Sequence, residues 1–320
     1  MSSGFTSSSW SEARLHRWLA KRFGRQAILS GSPMHDAACL RPFAGRPTLC
    51  TDQTIEGVHF ESGVSGRRVG QKAAARVLSD LAATGARPYA ITLCVSAGRS
   101  VSETYLRSVI EGSAEMAERF RAHLVCGDLS CTENDPLHVS VCGLGSVRGR
   151  TKPVGRDRAK PGQLVLLSGP VGGSSLGRHL RIEPRVSLGE ALAGNGATCM
   201  MDVSDGLALD LSRIAAASRV RIDLELGHLP IHADAHKLAR RSGATPLEHA
   251  LYDGEDHELI ATMTQSSWSN NGAALARRFP GLQVIGHVRR AKSPGLWLLD
   301  ADSAVAPRPC SGNGGWLHGK

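Results

Sequence analysis

Apolar positions along the chain alternate between helical and extended spacing. Between Glu12 and Phe23 they recur at Leu15, Trp18, Leu19 and Phe23, which predicts a helix with its basic residues on the opposite side. A short strand is expected after the turn that runs from Pro33 to Leu40, and Pro47 to Thr51 reads as a strand ending at Asp52. The Ala-rich run Val69 to Thr84 predicts a helix stopped by Gly85 and Pro88. Ala90 to Ser96 is extended. Ser102 can cap a long helix reaching Ala122, and Leu124 to Cys126 is a short strand ending at Gly127-Asp128. His138 to Val147 is rich in β-branched residues, as strands are.

The polar, Gly- and Pro-bearing stretch Arg148 to Gly162 marks a boundary between residues 1–150 and 151–320. Beyond it, Leu164 to Ser168, Cys199 to Val203 and Leu259 to Met263 read as strands. Leu207 to Ser218 and His232 to Ser242 read as helices, and Gly169 to Gly177 as a Gly/Ser turn opening another. Arg221 to Leu226 alternates apolar and charged residues, as an edge strand does. Strands and helices interleave in both halves, so the expected class is α/β (or α+β) in two domains. No internal repeat is visible.

Composition narrows the function. The 320 residues are 41% hydrophobic and 21% charged, an ordinary globular balance. Apolar runs such as Leu164–Leu167 are far too short to span a membrane. Met1 to Trp10 has no apolar run behind a basic start, so a cytoplasmic location is expected and a secretory leader is not. Eight cysteines include no C-x-x-C pair, which argues against zinc. Their apolar neighbours predict buried, reduced thiols. The net charge of +9 comes from scattered basic residues, and aromatics are only 4%, too few for base-stacking platforms. An anionic small molecule suits this charge better than nucleic acid.

The candidate chemistry lies in the acids. Asp36, Asp52, Asp80, Asp128, Asp202, Asp205, Glu255 and Asp256 all stand beside apolar or Gly residues at the ends of predicted elements. Taken singly, each is an ordinary cap or turn residue. Taken together they are what a Mg²⁺ site requires, because that ion takes oxygen ligands and bridges carboxylates to substrate phosphates. The chain has no G-x-x-x-x-G-K-[ST] phosphate loop and no G-x-S-x-G elbow.

In order, these motifs resemble the thiamine-monophosphate kinases of the aminoimidazole-ribonucleotide-synthetase-like superfamily. The resemblance covers about residues 12–318. Its segments are Pro33 to Ala38, Thr51 to Phe60 with Glu56-Gly57-Val58-His59-Phe60, Lys72 to Pro88 with Leu78-Ser79-Asp80, Cys126-Gly127-Asp128, Met201 to Leu207, Gly254 to Leu259, and the tail Gly315-Trp316-Leu317-His318. It implies transfer of phosphate from ATP to thiamine monophosphate with Mg²⁺. It also implies a homodimer whose N-terminal halves share a β-barrel, each C-terminal half forming an α/β layer.

Carried over residue by residue, Asp36, Thr51, Asp52, Asp80 and Asp128 would hold Mg²⁺, as would Asp202 and Asp205. Asp80, Asp128 and Asp205 would be the catalytic acids. Gly127, Asp128, Arg156 and Ser204 would contact ATP, and His59, Glu255 and Trp316 the thiamine phosphate. Met34, His35, Cys50, Cys126, Gln163, Gly173 and Gly319 depart from the family pattern. Two alternatives follow from those departures: a related ATP-using enzyme with another substrate, and a non-catalytic member of the fold.

Overall fold

A computed structural model of the chain describes residues 10–24, 26, 28–30, 37–133, 135–147, 153–300, 306–310 and 314–315. The chain divides into two compact units. One holds residues 1–81 and 88–148, and the other holds 82–87 and 149–320.

The first unit contains α1 (Glu12–Phe23), β1 (Arg46–Ile55), α2 (Gly66–Ala83), β2 (Arg87–Gly98), α3 (Glu103–Arg119), β3 (His123–Thr132) and β4 (His138–Val147). Its strands form one sheet in the order β1-β4-β2-β3. β1 and β4 pair antiparallel along their whole length, from Arg46↔Val147 to Ile55↔His138. β2 and β3 run parallel, with a bulge at Ile91/Thr92. β1 and β3 are longer than the sequence suggests, so Asp52 and Asp128 lie within strands and not at their ends.

Burial alternates along β1 as period-two geometry requires. Cys50, Asp52 and Thr54 point toward α2, where the Cys50 thiol meets the Val77 carbonyl at 3.5 Å. Leu49, Thr51 and Gln53 point the other way, and Leu49 is 71% exposed. Its cross-strand partner is Leu144, and that of Thr51 is Cys142. Among the described residues this second face has no helix of its own unit over it. The expectation of buried thiols therefore holds for Cys199 only. Cys39, Cys94, Cys126 and Cys131 are exposed; Cys94 and Cys126 alternate onto the open face, while Ile91, Leu93 and Val95 fill the covered one.

α2 and α3 cross at glycines. A Cβ on Gly112 would stand 2.1 Å from the Arg67 carbonyl oxygen, and one on Gly70 would stand 1.9 Å from that of Val109.

The second unit contains β5 (Gln163–Leu167), α4 (Val186–Gly194), β6 (Ala197–Asp202), α5 (Leu207–Ser218), β7 (Arg221–Glu225), α6 (Ala233–Ser242), α7 (Pro246–Tyr252), β8 (Leu259–Thr264), α8 (Gln265–Arg278), β9 (Gln283–Arg289), β10 (Gly295–Leu299) and β11 (Arg308–Cys310). They build a seven-stranded sheet in the order β11-β10-β7-β9-β5-β8-β6. Val165, Leu167, Ile260, Ile285 and the inner side of α5 (Leu207, Leu211, Ile214) form its core.

β7 is an interior strand, not the edge its alternating pattern suggested. Its charges are met within the sheet: Arg221 pairs with Asp223 and lies 4.6 Å over the Trp297 ring, while Arg289 reaches Asp223 at 3.4 Å. The turn after β5 opens short 3-10 segments, Ser174–Leu176 and Arg178–Leu180, in place of the expected helix. It is tied down by acids. Asp256 accepts from the Gly172 amide at 2.9 Å and from Arg178 at 2.8 Å, and Asp253 accepts from the Gly173 amide at 2.7 Å.

Two stability tests follow from these contacts. Gly112→Ala should cost roughly 3 kcal/mol, at the upper end for overpacking. Gly194→Ala, with nothing within 4 Å of the added carbon, should be neutral or slightly stabilising. Chemical denaturation of both variants checks the contrast.

Burial pushes the Asp256 carboxyl up to about 7 against an ordinary 3.8, with Arg178 working in the opposite direction. The folded state therefore favours the neutral acid. The resulting stabilisation is full below about pH 4 and is lost as pH rises through 7. The melting temperature of Asp256→Asn relative to wild type should thus climb by a few degrees between pH 5 and 8; a constant difference would refute the shift.

Candidate active site

The second unit concentrates acids where β6 runs into α5. Asp202 is the last residue of β6 and is buried. Asp210, in the first turn of α5, turns back to accept from the Ser204 and Asp205 amides at 2.9 and 3.1 Å. Arg213, one turn further, places Nη1 between Asp205 at 2.6 Å and Asp210 at 2.7 Å. Burial, with Asp202 and Asp205 adding to it, pushes the Asp210 carboxyl up to about 7 despite the amides and Arg213. Asp205 and Asp210 thus share one guanidinium, and Asp202 lies close enough to raise the Asp210 carboxyl further.

The segment after α7 lies alongside. The Glu255 amide donates to the Ser204 carbonyl at 2.7 Å, and the His257 amide to that of Val203 at 2.8 Å. Glu255 and His257 hold φ of 60° and 51°, a conformation that costs energy in non-Gly residues. His257 sets Nδ1 3.1 Å from an Asp202 carboxylate oxygen, while its buried Nε2 has no partner among the described residues. Gly315 packs so closely that a Cβ there would meet the Asp205 carbonyl oxygen at 2.5 Å. Of the expected site residues, Asp202, Ser204, Asp205 and Glu255 are thus brought together. Trp316 follows Gly315 in the chain but lies outside the described residues, as does Asp36. Arg156 is exposed, next to Gly155, which bridges to Cys199; that is roughly 10 Å along β6 from Asp202 at strand rise.

In the first unit, Lys72, Arg76 and Asp80 form one stripe of α2, spaced i, i+4, i+8. It faces β1 and the turn beyond. Lys72, 1% exposed, donates to the His59 carbonyl at 2.6 Å. Arg76 forks onto Asp52, with Nε at 2.7 Å and Nη2 at 2.9 Å. Asp80 lies near Cys50, whose thiol is pushed far up first by burial and then by Asp80, so it stays protonated. His59 accepts the Ile55 amide at Nδ1, 3.0 Å away, which leaves the ring proton on Nε2 as a donor.

Thr51 and Asp128 lie on the opposite, open face of the sheet. Asp128 is exposed, with Ser130 Oγ 3.4 Å from one oxygen. β1 and β3 are the two edges of the sheet, three strand spacings or about 14 Å apart, so Asp52 and Asp128 of one chain do not share an ion. Gly127 and Asp128 also border a cavity of about 370 Å³ walled by Leu19, Phe23, Leu29 and Ile110.

Among the described residues no three His, Cys, Asp or Glu side chains converge on one ion position. The donor set still fits Mg²⁺, which needs only one or two carboxylates when phosphate oxygens and waters complete its shell. Asp52 accepts three hydrogen bonds, two on Oδ1 and one on Oδ2, and keeps a lone pair on Oδ2. Two departures are also explained by packing. Gln163 accepts from the Lys160 amide and the Thr198 and Thr262 hydroxyls at 2.8, 2.9 and 3.0 Å, knotting β5, β6 and β8 together. Gly173 has φ +74°, and a Cβ there would meet the Ala235 nitrogen at 2.4 Å, so no acid fits. Met34 and His35 lie outside the described residues. Arg76, Asp210, Arg213 and His257 were given no role from sequence; the i+4 step from Arg76 to Asp80 and the i+3 step from Asp210 to Arg213 were the readable signals.

Residues 34–147 match the family model for AIR synthase related protein, N-terminal domain. The chain is 43% identical over 280 residues to the thiamine-monophosphate kinase of Rhodopirellula baltica, covering 86% of this chain and 84% of that one. It is 33% identical over 283 residues to that of Bacillus subtilis, covering 80% and 85%. The crystal structure of thiamine-monophosphate kinase from Stenotrophomonas maltophilia K279a superposes with a TM-score of 0.75 at 28% identity, covering 91% and 96%. Hydrogenase maturation protein HypE in complex with ATP gives a TM-score of 0.76 at 20% identity over 93% and 95%, which speaks to the shared fold alone. With more than two fifths of its aligned residues shared across most of both sequences, the chain belongs to the thiamine-monophosphate kinase family.

Proposed function

We propose that this protein phosphorylates thiamine monophosphate at the expense of ATP. A phosphate oxygen of thiamine monophosphate attacks the γ-phosphorus of ATP, the bond from that phosphorus to the bridging oxygen breaks, and thiamine diphosphate and ADP leave. The observation that carries this reading is the 43% identity across most of the chain to a named thiamine-monophosphate kinase, in a protein whose turn from β6 to α5 holds Asp202, Ser204, Asp205 and Glu255 together. Such transfer asks the protein mainly to position two phosphates and neutralise their charge.

Asp52, Asp80, Asp128, Asp202 and Asp205, with Asp36 and Thr51, are the proposed Mg²⁺ ligands. The ions, when bound, offset charge on the phosphates. Asp80, Asp128 and Asp205 are the acids on which the rate depends most. Gly127, Asp128, Arg156 and Ser204 serve the nucleotide. The apolar cavity beside Gly127 and Asp128 suits its base. His59 offers an Nε2 proton to the phosphate of the acceptor. Glu255 offers a carboxylate to the cationic thiamine rings, and Trp316 an aromatic face.

The open face of the four-stranded sheet is the proposed seat of a second copy of the chain, since Leu49 and Leu144 would otherwise stay in water. No helix among the described residues is long and apolar enough to cross a membrane. A cytoplasmic location is proposed because it would keep the four exposed cysteines reduced.

With Mg²⁺ and ATP, purified protein should yield thiamine diphosphate and ADP in equal amounts by chromatography. Asp205→Asn should lower kcat by about 100-fold or more at a nearly unchanged melting temperature. ATP consumption with another phosphorylated acceptor alone would favour a different substrate. Light scattering at micromolar concentration should give twice the chain mass for wild type and the single mass for Leu49→Asp; a monomeric wild type would refute the dimer.

A further inference from the structure

We infer that His257 is a positioning residue: the proton on its Nδ1 holds the Asp202 carboxylate in the orientation in which that acid meets a divalent cation. The inference deepens the reading of the chain as a Mg²⁺-using kinase and rests on it. The imidazole is only 2% exposed, and its Nδ1 lies 3.1 Å from Asp202 Oδ2. A carboxylate oxygen only accepts, so the proton between the two sits on Nδ1. Fixing one oxygen sets where the other points, whatever else Asp202 touches. Nε2 is then an acceptor, buried and without a partner among the described residues. A buried nitrogen of that kind is normally met by a donor. Water in the shell of a Mg²⁺ ion, which keeps several waters, is a donor of the right sort.

The backbone holds the ring in place. The Val203 amide donates to the Glu258 carbonyl and the His257 amide to the Val203 carbonyl, both at 2.8 Å. The pairing of β6 with β8 therefore continues past Asp202↔Leu259 and brings His257 to the end of β6. Its two neighbours are turned to other partners: Asp256 to the Gly172 amide and Arg178, Glu258 to Ser168 and Arg185. His257 is the one that meets Asp202, and it does so at φ 51°, in the left-handed region. Non-glycine residues enter that region at a cost and stay there only where surrounding contacts hold them. Strain and the contact to Asp202 coincide at one residue, as expected of a group held for its direction and not its bulk. Groups that hydrogen-bond a metal's ligands orient them, and their loss typically weakens metal affinity by about 10- to 100-fold.

The test measures Mn²⁺ affinity by electron paramagnetic resonance of the free ion, in the full-length protein with a non-hydrolysable ATP analogue. Asn sets its amide nitrogen where Nδ1 stands and tolerates the left-handed backbone, so His257→Asn should bind Mn²⁺ within about threefold of wild type. His257→Gln sets its nitrogen where Nε2 stands and should bind at least about tenfold more weakly, as should His257→Phe, which keeps a ring but not the proton. Packing alone predicts the reverse order, with His257→Phe nearest wild type and His257→Asn furthest from it. That order, or equal affinity in His257→Asn and His257→Gln, overturns the inference. If the melting curve shows that His257→Phe does not fold, His257→Asn against His257→Gln decides. Wild type that binds no Mn²⁺ also overturns it. Wild type that binds Mn²⁺ but forms no thiamine diphosphate refutes the kinase reading instead, and the order of the variants still decides the role of His257.

Discussion

A carboxylate removed from water must be met by a cation or by hydrogen-bond donors, and most of this structure can be read from how that requirement is satisfied. Asp52 is met by Arg76, Asp256 by Arg178 and the Gly172 amide, and Glu258 by Arg185 and Ser168. Asp210 is met by two amides and a shared Arg213. In each case the partner comes from a different element or a different turn, so the ion pair also fixes local geometry. Asp256 holds the turn after β5, Asp210 shapes the entry to α5, and Asp52 anchors α2.

Sequence patterning recovers the elements whose burial is one-sided. α2, α3, α5 and β4 lie close to their expected positions, because each packs one apolar face on a core. The pattern misleads where burial and polarity separate. β7 alternates like an edge strand, yet it is central, because Asp223 finds Arg221 and Arg289 within the sheet. Apolar periodicity does not predict the short α7, whose start is marked instead by the capping box of Thr245-Pro246 and Glu248. β3 runs on through Gly127-Asp128, where Gly suggests a stop, because its hydrogen bonds to β2 continue as far as Thr132.

The acids of the candidate site were legible as a set but not as individuals. Sequence identifies Asp52, Asp128 and Asp205 equally, each beside apolar or Gly neighbours. Only the fold shows that they sit in different electrostatic settings: one paired with a guanidinium, one exposed, and one sharing an arginine with a second acid. The departures from the family pattern are sorted by the same means. Gln163 accepts from a knot of hydroxyl donors, and a side chain at Gly173 would run into backbone nitrogen. Neither removes a ligand from the β6–α5 turn.

That turn has a consequence for how the enzyme works. Asp205 and Asp210 share one nitrogen of Arg213, and the burial and crowding of Asp210 oppose its own ionisation. On the proposed reading, a cation at Asp202 and Asp205 would offset the negative charge that crowds Asp210. The strained backbone at Glu255 and His257 keeps the opposing segment in register with Ser204 while this happens. The same turn sets the Ser204 and Asp205 amides on Asp210 and the Glu255 amide on the Ser204 carbonyl, so the acids proposed to hold divalent ions are placed by backbone as well as by charge.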